Sequence, residues 1–89
     1  MEKTIHTQEY AAVLRLLKSQ RKRARLNQAE LAQRVGETQS FISKVERGER
    51  RLDVIELRAF CAALGTTLPA FVKRLEAELA GAGGGQASE

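Results

Sequence analysis

The sequence predicts an all-α fold of five helices, and three observations carry that prediction. Apolar residues recur at i, i+3, i+4 and i+7 in successive segments, with no strand-like alternation and no internal repeat. Asn27 and Asp53 each stand three positions before a glutamate, the N-cap and N3 arrangement of a capping box. Glycines 36, 48 and 65 follow the apolar stripes directly, where helices commonly end.

The elements follow in order. Helix one is expected from a cap at Thr7 to about Arg23, with Tyr10, Val13, Leu14 and Leu17 as its buried stripe. Helix two covers 28–35: Asn27 caps it, Glu30 completes the box, and Leu31, Ala32 and Val35 turn inward. Gly36 then reverses the chain and Thr38 caps helix three, 39–46, which Gly48 closes. So short a connection forces the two helices to cross closely, and Ala32 supplies the small side chain this needs. Residues 47–52, RGERRL, form a basic loop. Helix four opens at Asp53 and runs to Leu64, with Val54, Leu57, Phe60, Cys61 and Leu64 facing the core; Gly65 ends it. Pro69 suits the first turn of helix five, 68–80, where its missing N–H is harmless. The chain therefore reads as one domain, 7–80, between a flexible arm, 1–6, and a disordered glycine-rich tail, 81–89.

Composition excludes several classes. A chain of 89 residues with 43% hydrophobic content can fold, although its core is small. No apolar run reaches the ~18 residues of a membrane span, and MEKTIHTQEY lacks a signal-peptide core, so a cytoplasmic protein is expected. Cys61 is the only cysteine, which rules out an internal disulfide and leaves a buried structural thiol as its role. The only histidine is His6, in the arm. No nucleotide-binding glycine motif and no metal-ligand spacing occurs, so neither enzyme activity nor a metal or cofactor is expected.

Charge is uneven. Residues 15–51 hold eleven Lys/Arg against four Glu, a net of +7, whereas the remainder carries a net of −3. A basic centre of this kind is the electrostatic footprint of a polyanion binder.

Helix three gives the footprint a reader. At about 100° per residue, Ile42 and Val45 point inward and Phe41 and Glu46 flank them. Gln39, Ser40, Ser43, Lys44 and Arg47 share the outward arc, which holds no acid and suits base edges and phosphates. Phe41 reads as edge packing rather than a thymine-methyl contact. Arg47, Arg50 and Arg51 leave the helix end and enter the loop, a placement that fits phosphates.

The segment LNQAELAQRVGETQSFISKVERG resembles the helix-turn-helix of the Cro/repressor (XRE-type, lambda repressor-like) family. Leu31, Ala32, Val35, Gly36, Ile42 and Val45 match its apolar, small and turn positions, and LNQAELAQ is similar to a lambdoid phage repressor. The likeness covers about 15–72. It implies a five-helix lambda repressor-like DNA-binding domain whose helix-turn-helix spans 28–47. It further implies base reading by Gln39, Ser40, Lys44 and Ser43, and phosphate contacts by Gln28 with Asn27 at the positive end of helix two. In the resembling repressors an arginine of helix one pairs with a glutamate ending the recognition helix, positions held here by Arg21 and Glu46. One departure stands out: the family often has glycine before LNQ, and this chain has Arg25. If the left-handed backbone is still required, Arg25 takes it at about 1 kcal/mol. The favoured expectation is a rearranged exit from helix one, with Arg23 and Arg25 contributing phosphate contacts.

Helix five offers a partner surface through Phe71, Leu75 and Leu79, part of a stripe that also includes Leu68 and Val72. The expected function is a sequence-specific double-stranded DNA-binding regulator, a repressor or autoregulator, reading a palindromic operator as a homodimer. Phage repressor, restriction–modification controller and antitoxin-like settings all fit. The alternative is a protein-interaction or bridging module, with a protein partner in place of base reading.

Overall fold

A computed structural model describes residues 8–82 as five helices: α1 (Gln8–Arg23), α2 (Gln28–Val35), α3 (Gln39–Glu46), α4 (Val54–Ala63) and α5 (Leu68–Ala82). Thr7, the arm and residues 83–89 of the tail lie outside the described residues. Among the described residues there is no strand, and no single helix is long and apolar enough to cross a membrane.

Capping chemistry sets the starts. Both capping boxes form: Glu30 N–H donates to Asn27 Oδ1 at 2.7 Å while Asn27 N–H donates to Glu30 Oε1 at 2.8 Å. Asp53 and Glu56 repeat the exchange at 2.7 and 2.9 Å. Thr38 Oγ1 accepts from Phe41 N–H at 3.1 Å, and Thr67, which no glutamate marks, accepts from Ala70 N–H at 3.2 Å. At the other end of α2, Gly36 is left-handed at φ +74°, and the Glu37 N–H reaches back to the Ala32 carbonyl at 2.9 Å. Gly48 is left-handed too, at φ +80°, and a Cβ there would lie 3.2 Å from Leu14 Cδ1.

α2 packs on α3 and α4, and α1 on α3 and α5, with α4 against α5. Leu16, Leu17, Leu31, Ala32, Ile42, Val45, Phe60, Cys61, Leu64 and Phe71 form the shared interior, with Leu26 from the turn after α1. An ion pair from Arg15 to Glu78, 2.7 Å, joins α1 to the far part of α5.

Four expectations change. The stripe of α1 is rotated: Ala12, Leu16, Leu17 and Arg21 are buried, whereas Tyr10, Val13 and Leu14 are only half-buried. Two apolar rows lie side by side on this helix, and packing on both α3 and α5 selects the row between them. Val54 does not face the core. It is 60% exposed and its neighbour Ile55 70%, because the first turn of α4 overhangs the interior that Leu57, Phe60, Cys61 and Leu64 fill. Helix five continues through Gly81 to Ala82, two residues into the expected tail. Finally, the exit from α1 is not rearranged. Arg25 adopts φ +62°, the left-handed conformation a glycine would take, and its N–H bonds the Lys22 carbonyl at 2.9 Å. The tight turn into Asn27 overrides the local preference of arginine, at about 1 kcal/mol of strain.

Candidate nucleic-acid interface

α3 is locked from behind. Ile42 and Val45 have no exposed surface, and Phe41 packs at the edge of the core with its ring centroid 6.3 Å from that of Phe60. A second brace is ionic. Arg21 Nε donates to Glu46 Oε2 at 2.6 Å and Nη2 to Oε1 at 3.0 Å, with side chains only 9% and 6% exposed. Arg21 Nη1 also donates to the Leu26 carbonyl at 2.8 Å, so the same guanidinium holds both the α1 exit and the end of α3. Burial pushes the Glu46 carboxyl up. Hydrogen bonds from Arg21 and Gln28, with the charges of Arg21 and Lys18, outweigh that effect and hold it below the usual carboxylate range.

With its back fixed, α3 presents Gln39, Ser40, Lys44 and Arg47 to solvent, with Ser43 half-buried among them. Gln39, Ser40 and Lys44 make no side-chain hydrogen bond among the described residues. The arginines at the helix end differ. Arg47 Nε and Nη2 donate to the two oxygens of Glu49 at 2.9 and 3.1 Å, and its Nη1 donates to Ser43 Oγ. Arg50 donates to both oxygens of Glu56 at 2.9 and 2.8 Å, and to the Arg51 carbonyl, while its guanidinium lies 4.8 Å over the Phe41 ring. Arg51 lies 4.3 Å over the Tyr10 ring. Each of these three cations is therefore held by its own chain.

The remaining residues singled out from the sequence have different surroundings. Gln28 Nε2 donates to Glu46 Oε1 at 3.0 Å, so this side chain belongs to the brace behind α3. Asn27 caps α2 through its side-chain oxygen. Arg23 and Arg25 stand exposed at the α1 exit. Phe71 is buried in the core of its own chain at 3% exposure, which leaves Leu75 and Leu79 as the half-buried part of the α5 stripe. Val72, on the same helix, is 39% exposed. Cys61 is fully buried, and burial raises its thiol pKa.

The Glu49 and Glu56 partnerships have no signature in the helical periodicity. Glu49 reaches Arg47 across the left-handed Gly48, and Glu56 serves a capping box and Arg50 at once. Tyr10 meets Arg51 only because α1 passes beside the loop.

The profile described as helix-turn-helix matches residues 17–71, more than half of the chain. The chain belongs to the Cro/repressor-type (XRE-type) helix-turn-helix family. A solved structure of an XRE-family-like protein from Pseudomonas syringae pv. tomato str. DC3000 is similar to most of the chain. It shares 51% identity, a TM-score of 0.78, and coverage of 86% of this chain and 94% of that one. No curated protein matches the chain.

An XRE-type domain is a DNA-binding transcription regulator, and double-stranded DNA is the partner that this membership implies. In that frame α2 and α3 are the bihelical motif, and the Arg21–Glu46 pair fixes how its second helix stands on the rest of the domain.

Proposed function

We propose that this XRE-type regulator recognises a palindromic operator as a homodimer, with α3 of each copy in the major groove. The observation that carries the reading is the outward arc of α3. Gln39, Ser40 and Lys44 are exposed, make no side-chain hydrogen bond within the described chain, and ride on a helix whose rear is fully buried. A glutamine pairs bidentately with adenine and a lysine reaches guanine O6 and N7; Ser40 and Ser43 are small enough to let the helix lie deep.

Phosphate contacts fall to two places. Arg23 and Arg25 are exposed at the α1 exit, and the N-terminus of α2 adds its positive dipole end, where the Asn27 and Gln28 side chains already bond within the chain. Arg47, Arg50 and Arg51 add charge at the other end of the motif, moderated by the partners they already hold. Two-fold pairing draws on Leu75 and Leu79, which line a shallow groove with Tyr10, Val13 and Arg51. A dimer doubles the phosphate contacts and sets half-sites about 34 Å apart. Repression or autoregulation in the cytoplasm follows from occupancy of such a site. Under the alternative reading, the exposed Val54 and Ile55 would receive a protein partner.

Selection from a random duplex pool tests the reading. The expected product is an inverted repeat with half-sites one helical turn apart, bound with a steep dependence on salt. Lys44→Ala should change the selected sequence. Recovery of no preferred sequence at physiological ionic strength overturns the proposal.

A further inference from the structure

We propose that Glu49 is a specificity-determining residue: by holding Arg47 across the end of α3, it keeps binding to duplex outside the preferred site weak. The inference rests on α3 being the duplex-facing helix.

The geometry is that of a masked cation. A guanidinium has five N–H donors, and Arg47 has three committed, two to the Glu49 carboxylate and one to Ser43 Oγ on the same arc. Glu49 is not placed by chance. Gly48 turns the backbone at φ +80°, and Glu49 N–H then donates to the Lys44 carbonyl at 2.8 Å, which anchors the acid to the last turn of α3. The two side chains are 53% and 55% exposed, so the pair stands at the surface beside Lys44 and within reach of a polyanion. Hydrogen bonding from Arg47, then its charge, outweighs desolvation and holds the Glu49 carboxyl below its usual range, so the negative charge persists through physiological pH.

Binding away from a preferred site uses phosphates alone. There a released guanidinium counts in full, and Glu49 withholds it by holding Arg47. At the preferred site, base contacts from Gln39 and Lys44 fix the register, and Arg47 remains on Glu49. The acid thus acts against the wrong duplex more than for the right one, which is how discrimination is gained by penalising competitors. An exposed pair of this kind shifts an equilibrium by about fivefold at most.

Fluorescence anisotropy on the full chain supplies the test, with a duplex selected by the wild type and a scrambled version of it across a salt series. For Glu49→Gln, affinity for the scrambled duplex should rise about threefold to fivefold at low salt, with a log–log slope steeper by about 0.9. Affinity for the selected duplex should move less than about twofold on the same scale, with an unchanged melting temperature. Arg47→Ala in the same chain should abolish the rise. No gain on the scrambled duplex overturns the inference, as does an equal gain on both duplexes or a gain that persists without Arg47. A loss confined to the selected duplex overturns it too, since Glu49 would then be supporting a base contact by Arg47. A wild type that prefers neither duplex defeats the α3 reading itself, and this inference with it.

Discussion

Arg21 and Glu46 meet in the interior through two hydrogen bonds, 2.6 and 3.0 Å long, and Gln28 adds a third to the same carboxylate at 3.0 Å. Two helices, α1 and α2, thus converge on the last residue of α3. The pair need not add net stability, because desolvation of two charges opposes their attraction. Its effect is positional. Glu46→Ala leaves the Arg21 guanidinium buried and uncompensated, a loss of about 3–5 kcal/mol for a broken buried pair. Thermal melting should show it, and duplex affinity should fall although Glu46 touches no base. Unchanged stability and affinity would count against the brace.

The same carboxyl sets an acid limit. Its folded pKa lies below the unfolded value of about 4.3. Ionised Glu46 therefore contributes stability that is complete above the unfolded value. That contribution declines as pH falls below it and is gone once pH has passed through the lower folded value. The stability difference between wild type and Glu46→Gln, read from urea titrations, should be constant near neutrality and shrink below about pH 4. A difference that grows on acidification contradicts the assignment.

Arg25 gives a substitution that should improve the fold while harming binding. At φ +62° glycine relieves about 1 kcal/mol of strain, part of which its freedom in the unfolded chain offsets. Arg25→Gly should raise stability by about 0.5 kcal/mol. If Arg25 meets a phosphate, affinity for all duplexes drops and the salt slope flattens by about 0.9. Calorimetry and a salt titration would read the two effects separately.

Gly48 combines two constraints in one position. A methyl group there meets left-handed backbone and Leu14 Cδ1 at 3.2 Å, so Gly48→Ala should destabilise by about 1–2 kcal/mol. Leu14→Ala in the same chain removes the contact but not the backbone strain. A double-mutant cycle should therefore show partial, not full, compensation. Full compensation would mean that the turn itself is unstrained.

Leu79 separates dimerisation from folding. It lines the groove beside Leu75 but lies outside the core cluster. Leu79→Glu should weaken self-association about tenfold or more, equivalent to about 1.4 kcal/mol, without lowering the helical signal. Sedimentation velocity would detect an unchanged assembly, the contrary result.

Periodicity and capping were enough to place every helix. Asn27–Glu30 and Asp53–Glu56 are local exchanges, complete within four residues, and glycines 36, 48 and 65 are left-handed where the apolar stripes stop. The outward arc of α3 was legible for the same reason, since a helix of known phase fixes which residues lie opposite Ile42 and Val45. Where two apolar rows competed on α1, and where Val54 extended a stripe past its support, the pattern was ambiguous and packing chose.

Charge was the larger gap. Counting residues gives a net of +7 between positions 15 and 51 but not which cations are available. Only the folded chain brings Glu49 onto Arg47, Glu56 onto Arg50, and the Tyr10 ring under Arg51. Likewise only the turn before Asn27 holds Arg25 left-handed. Local free energies, set by neighbours within one helical turn, are written in the sequence. Pairings across turns and between helices depend on distances that exist after folding, and those decided how much of the basic face is free to meet a duplex.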